Sequence, residues 1–358
     1  HKNILGAHSS SGSSNNPEID VTNTLPISQA TVSLGIIGNI ESINLYEKGR
    51  GYTTIPNIQI ESTGLIVQPT ISLSLETIPL SNLQQVSSID LINGGSLQHL
   101  KLNGITIIEQ KKEFAYSDSF ASAILFPFVN RLKKGIYSFK NKFYQLPINE
   151  IGGNAHHGII YNKIFSLKEY FCKDNQAIIN LEYESKGEDG YPFAFKINLQ
   201  YTFGLDYLNM SLRVDNLSEH GFPYSLGWHP YFISSDLSKS RIQFSKQYDI
   251  ITDNNGVAQH RSKLNQSVEI NPKDNHLDNC FQLKNGYATF TTPDYKMSIS
   301  TNRTPAFIHL YTPKIKDLFA IEITSGISNS FNHGIGLNYL EKQSSTNMLW
   351  KIKIDSFK

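Results

Sequence analysis

The strongest regularity along the chain is alternation. In "FAFKINLQYTF" the residues Phe193, Phe195, Ile197, Leu199, Tyr201 and Phe203 alternate with Ala194, Lys196, Asn198, Gln200 and Thr202. A period of two is the pattern of a strand with one face buried and the other wet. The next run repeats it, with Leu208, Met210, Leu212 and Val214 set against Asn209, Ser211, Arg213 and Asp215. Only "GLDY" separates the two, so they are expected to pair as an antiparallel hairpin. "HLKLNGITII" carries a second hairpin with Asn103-Gly104 as its turn, and "FAIEIT" and "WKIKI" alternate again near the end. A helical period is almost absent, apart from a short turn around Ser235 to Lys239. Many strands with few helices predict an all-β fold, a large antiparallel β-sandwich, rather than an α/β sheet.

This texture begins at Val86, and residues 86–358 are expected to form the sandwich. Residues 1–20 are rich in serine, asparagine and glycine with little to bury, which predicts a flexible tail. From 21 to 84 the short β-like runs "ATVSLGII", "ESINLY" and "NIQIES", punctuated by "EKGRGYTTIP", predict a separate small β-module. "IPLSNLQQ" reads as the linker that follows. The stretch "IESINLYEKGRGYTTIPNIQI" resembles a repeat of bacterial and phage surface or fibre proteins, and an ordinary β-hairpin fits it equally well. The sequence names no partner for this module.

Composition narrows the partners. A chain of 358 residues accommodates one large all-β domain plus an appendage. Its formal net charge of +1 leaves no global field to recruit nucleic acid or an acidic membrane surface, so neither is expected and a small neutral partner fits better. No apolar run approaches the roughly 20 residues that span a bilayer. The start "HKNILGAHSSSGSSNN" has no apolar core of a secretory signal, which tips the expectation towards the cytoplasm. Because the first residue is histidine, an upstream leader stays open. Cys172 and Cys280 form neither a disulfide framework nor a Cys-x-x-Cys site, so two buried or incidental thiols are expected.

Five stretches set polar residues in apolar or turn-like surroundings: "FPFVNRL" with Asn130 and Arg131, "GNAHHGII" with His156 and His157, "GWHPYF" with His229, "HLDNCF" with Asp278, and "FAIEITSGISNSFNHG" with Glu322. Each has a plain reading. If Phe319, Ile321 and Ile323 face the core, Glu322 lies on the other face of its strand, where solvent would make it an ordinary surface carboxylate. On the concave face of a sandwich it could instead act as a general base. A histidine in a run as apolar as "GWHPYF" is more often a core residue than a catalyst. The proline after His229 removes a ladder donor, however, and so places the imidazole at an edge or strand end where a cleft can form. His157 beside Gly158 reads equally as a surface loop residue, Arg131 before "LKKG" as a solvated basic turn, and Asp278 as a turn former.

Together the residue types suit acid–base chemistry on a polyhydroxylated ligand: a carboxylate base, an imidazole acid and further hydrogen-bonding groups. A Ser/His/Asp hydrolase fits less well, because the chain has no Gly-x-Ser-x-Gly elbow. Neither a His-Glu-x-x-His zinc motif nor a glycine-rich phosphate loop is present.

The stretches "FPFVNRLKKGIYSF", "NAHHG", "GYPFAF", "GWHPYF", "LDNCF" and "IEITSGISNSFNHGIGL", in that order, resemble the aldose 1-epimerase (galactose mutarotase) family from about Val86 to Lys358. The resemblance implies a galactose mutarotase-like sandwich, no metal or organic cofactor, and a free hexose as substrate. It assigns Glu322 as general base and His229 as general acid, with Asn130, Arg131, His157 and Asp278 binding the sugar. His156 matches no family position. On this assignment Glu322 is expected ionised and His229 protonated when sugar binds, with Arg131 helping to keep a nearby carboxylate charged. Three features depart from the family: "EKQSSTN" replaces a Pro-Gly-Glu turn, Ile323 stands where proline is common after the base, and the front module is extra. Two other readings remain open, a hexose-6-phosphate 1-epimerase, which needs added cations, and a non-catalytic carbohydrate-binding protein.

Overall fold

A computed structural model describes residues 86–173, 176–273 and 277–356, together with short strands at 6–8, 18–20, 29–33, 57–61 and 72–76. The chain divides into two compact units, His1–Thr70 and Ile71–Lys358. In the first, Gly6–His8 pairs antiparallel with Glu18–Asp20 and Gln29–Ser33 pairs parallel with Asn57–Glu61. Parts of "ATVSLGII" and "NIQIES" are therefore strand. "ESINLY", most of the tail and the "IPLSNLQQ" linker lie outside the described residues. In the second unit Ser72–Glu76 pairs antiparallel with Val86–Asp90, and Ser96–Leu102 and Ile105–Glu109 complete a four-stranded sheet.

The rest of the second unit is built around a 12-stranded sheet. Across it run Ser166–Lys173, Gln176–Ser185, Phe195–Phe203, Tyr207–Asn216, Ser345–Ser356, Tyr295–Thr301, Asp278–Thr291, Phe307–Tyr311, Leu318–Thr324 and Tyr231–Ile233. Arg241–Thr252 branches from Asp278–Thr291 and carries Ala258–Ile270 on its far side. Helix among the described residues is confined to the α-helical turns Tyr116–Ser119 and Ser330–His333 and to two short 3-10 turns, one of them Leu237–Lys239. None of the helices is long and apolar enough to cross a membrane. The all-β, antiparallel expectation for residues 86–358 describes this unit.

The alternation becomes register. Phe195–Phe203 and Tyr207–Asn216 pair antiparallel from Phe203 opposite Leu208 to Phe195 opposite Asn216. Leu199 thus faces Leu212, and Tyr201 faces Met210, all four buried. The strand starts two residues later than the alternation does. Pro192 has no N–H to give, and the Ala194 carbonyl is taken by Leu217 N and Ser218 Oγ instead of by a strand partner. In the Asn103-Gly104 hairpin both turn residues have positive φ, 49° and 77°, as a two-residue loop that follows strand twist requires.

The strand Leu318–Thr324 is more enclosed than its alternation suggests. All seven residues are buried, so Glu322 is not an ordinary surface carboxylate. Phe307–Tyr311 and Tyr231–Ile233 flank it in the sheet, and Trp350 Nε1 donates to the Ile323 carbonyl at 2.7 Å. Gly227–His229 pairs with Ala123–Leu125 in a separate two-stranded sheet. Trp228 there is fully buried, 6.5 Å from Trp350 between ring centroids, while its neighbour His229 points the opposite way.

Alternation predicts unequal costs for adjacent truncations. Leu199→Ala empties a packed site and should lower unfolding free energy by about 2–5 kcal/mol in chemical denaturation. Gln200→Ala, one residue on and exposed, should stay within about 0.5 kcal/mol. Equal losses would contradict the register.

Candidate active site

Glu322 sits mid-strand, paired in register with His309. His229 ends its strand, and Pro230 stops the ladder there. His229 Nε2 and Glu322 Oε1 lie 3.4 Å apart, with side chains only 6% and 4% exposed. The ring of His157 meets that of His229 edge-on at 4.8 Å, and His156 lies against His157 at 3.7 Å. Tyr231 stacks on the other side of His229 at 5.0 Å. The Nδ1 atoms of His157 and His229 are buried without a hydrogen-bond partner. Orphaned buried donors or acceptors of this kind are costly and point to a polar ligand.

Loops complete the site under backbone constraint. Asn130 and His157 both adopt left-handed φ, 54° and 60°. They hold each other, because His157 N donates to the Asn130 carbonyl at 3.0 Å and Arg131 N donates to Asn130 Oδ1 at 2.8 Å. Arg131–Leu132 then pairs with Ala155–His156, Arg131 opposite His156. Arg131 is no solvated basic turn: its Nε donates to Glu150 Oε1 at 2.6 Å, both side chains about four-fifths buried. Asp278 is the first residue of its strand rather than a turn former, exposed and opposite Tyr311. It lines a narrow cleft with Asn130, Gly256, Cys280, His309 and Ser328.

Of the sequence-predicted residues, His229 therefore meets both His157 and Glu322. Arg131 adjoins them through His156, and Asn130 and Asp278 share the neighbouring cleft. Four residues went unremarked in the sequence or were read as inert: Glu150, Tyr231, Cys280 and His309. Cys280 is buried as a bland thiol should be, but its Sγ lies 3.2 Å from His309 Nε2. His309 could have been found by folding "FIHLYTPKIKDLFAIEIT" into a hairpin. Nothing local marks Glu150. Among the described residues no group of three or more His, Cys, Asp or Glu side chains is placed to hold a metal ion.

Burial dominates the electrostatics. Loss of water, reinforced by the charge of Asp278 and opposed by Arg131, raises Glu322 well above the usual carboxylate range. Burial pulls His229 down to about 4 and His309 to about 3. It also carries His156 and His157 well below an ordinary imidazole, Arg131 adding to the effect. Without a ligand, burial therefore drives both groups towards their neutral forms; the expected ionised Glu322 and protonated His229 refer to the sugar-bound site. Desolvation penalises both charges, and it outweighs the field of an Arg131 already engaged by Glu150.

The chain belongs to the aldose 1-epimerase family, whose model matches residues 77–345. Membership places it among isomerase-type enzymes of mutarotase character. Uncharacterized protein YihR of Escherichia coli (strain K12) is 24% identical over 272 residues, which span 72% of this chain and 87% of that protein. Among solved structures, the Slr1438 protein of Synechocystis sp. PCC 6803 superposes with a TM-score of 0.68 at 21% identity, covering 83% of this chain and 99% of that one. The galactose 1-epimerase of Lactobacillus acidophilus NCFM gives 0.63 at 18% identity, over 80% and 99%. Both share the fold.

The loop that presents His157 depends on Gly158. Its φ is +79°, and a Cβ there would fall 2.3 Å from the Phe126 carbonyl oxygen, which accepts Ile159 N. Gly153 has a similar φ of +74° but open space around it. Gly158→Ala should cost about 2–4 kcal/mol, and Gly153→Ala only about 1. Melting temperatures compared side by side check this; equal losses would mean that the close approach to Phe126 is not what fixes the loop.

Proposed function

We propose that the protein is a cofactor-independent aldose 1-epimerase that interconverts the α- and β-anomers of a free hexose such as glucose or galactose. The observation that carries this reading is the buried Glu322–His229 pair, two titratable groups 3.4 Å apart; in the proposed reading they hold one proton between them. Mutarotation needs that inventory. A base takes the proton from the anomeric hydroxyl, and the freed electron pair becomes the C1=O1 double bond. The C1–O5 bond breaks, and O5 leaves with a proton from the acid. Rotation about C1–C2 and reclosure on the other face give the opposite anomer.

Glu322 acts as the base and His229 as the acid. Before ring opening the working pair is carboxylate and imidazolium, and after it the pair is carboxylic acid and imidazole. Both states contain one proton, so the neutral resting pair differs from the reactive one only by a proton shift across 3.4 Å. Hydrogen bonds to the sugar stabilise the charged form as it binds, and no solvent proton is required. The unpartnered Nδ1 atoms of His157 and His229 are matched by the oxygens of such a ligand. Asn130, Asp278 and Arg131 serve its remaining hydroxyls.

Polarimetry on freshly dissolved α-glucose and α-galactose tests the assignment. The wild type should accelerate anomer exchange, and Glu322→Gln and His229→Asn should each lower kcat by about 10²–10⁴-fold. A wild type that binds galactose yet leaves the exchange at its spontaneous rate would instead be a carbohydrate-binding protein.

The pH profile tests the shared proton separately. On the acid side the pair gains a second proton at His229, near pH 4. On the alkaline side it loses its only proton, at the raised value of Glu322. The plot of kcat/KM should therefore hold a plateau between an acid limb around pH 4 and an alkaline limb above the ordinary carboxylate range, both belonging to the pair. An acid limb at the ordinary imidazole value would contradict it.

A further inference from the structure

We propose that Glu150 is a positioning and specificity residue: by holding the Arg131 guanidinium and balancing its charge, it makes the site accept neutral sugars and reject phosphorylated ones. The inference rests on the sugar-binding reading of the site and deepens it.

The geometry is closed at both ends of the pair. Glu150 Oε1 accepts Arg131 Nε at 2.6 Å, and Oε2 accepts Asn154 Nδ2 at 3.0 Å. Asn154 is itself anchored, its Oδ1 accepting Lys134 N at 3.1 Å. The far edge of the guanidinium lies against Gly256, where a Cβ would fall 2.6 Å from Nη1. That turn is fixed as well, since Gly256 N donates to the Asp253 carbonyl and Ser328 Oγ donates to the Gly256 carbonyl.

Two consequences follow for a ligand. A phosphate is gripped best by two parallel N–H groups of an arginine fork. Glu150 occupies Nε, so a phosphate cannot take the side-on fork that Nε forms with Nη2. A sugar hydroxyl needs only one donor and is not excluded. Charge acts in the same direction. Glu150 cancels Arg131, Asp278 adds a negative charge to the adjoining cleft, and the neighbouring imidazoles are neutral. A phosphate dianion therefore meets a negative surround, whereas a neutral hexose does not.

Calorimetric affinities for glucose and glucose 6-phosphate, with kcat and KM for α-glucose, decide the matter in full-length protein. Glu150→Gln keeps the acceptor at the Nε position and removes the charge. It should shift the affinity ratio towards glucose 6-phosphate at least tenfold, the shift shrinking as salt rises. Adding Arg131→Gln to it should abolish the gain. Glu150→Asp keeps the charge on a shorter arm, so it should lower kcat but retain the wild-type ratio. An unchanged ratio in a folded Glu150→Gln protein overturns the proposal, as does a tenfold gain in Glu150→Asp. If Glu150→Gln does not fold, the Asp variant decides alone: a retained ratio supports the proposal. Because binding needs no turnover, a wild type that binds glucose without converting it would end the epimerase reading and leave this one standing.

Discussion

A carboxyl and an imidazole share a dry space in which neither can afford to be charged alone, and the rest of the site follows from that constraint. Each charge would cost several kcal/mol without water, which drives both groups towards their neutral forms. The same loss of water pushes the carboxyl up and the imidazole down.

Holding such a pair requires rigid elements on two sides. Glu322 lies in a strand buried on both faces and flanked in the sheet by two others. His229 comes from a separate short strand whose tryptophan anchors it in the core. The remaining groups come from loops in which Asn130 and His157 take left-handed backbone conformations and hydrogen bond to each other. Strain of this kind persists only where neighbours over-determine it, and here one of the constrained residues, His157, packs against His229.

The fold was legible where one face of a strand is wet, because alternation then writes burial directly into the sequence. Phe195–Phe203 and Tyr207–Asn216 are such strands, and their register agrees with it. Legibility failed for Leu318–Thr324, whose two faces are both buried. Its alternation of large and small residues reflects packing on two sides, so Glu322 could be read as a surface acid. Candidate site residues could be named from motifs, but their electrostatic surroundings could not, since burial of Glu322 and His229 is a tertiary property. Glu150 was invisible for a similar reason. It stands 19 positions from Arg131 with no periodic signal, and only the pairing of Arg131–Leu132 with Ala155–His156 closes the loop that brings them together.

The same burial acts on every imidazole around the carboxyl, and four of them crowd Glu322 or its neighbours. His156 and His157 are driven well below the ordinary value by burial, with the fields of Arg131 and of each other or His229 adding to it. His309, opposite Glu322 in register, is pulled to about 3 and set against the Cys280 thiol, which burial keeps protonated. His229 is likewise pulled down, to about 4, by burial. It is also the imidazole whose Nε2 faces the carboxyl. Burial thus biases all four imidazoles towards the neutral form, with the ring of His229 the one set against the carboxyl.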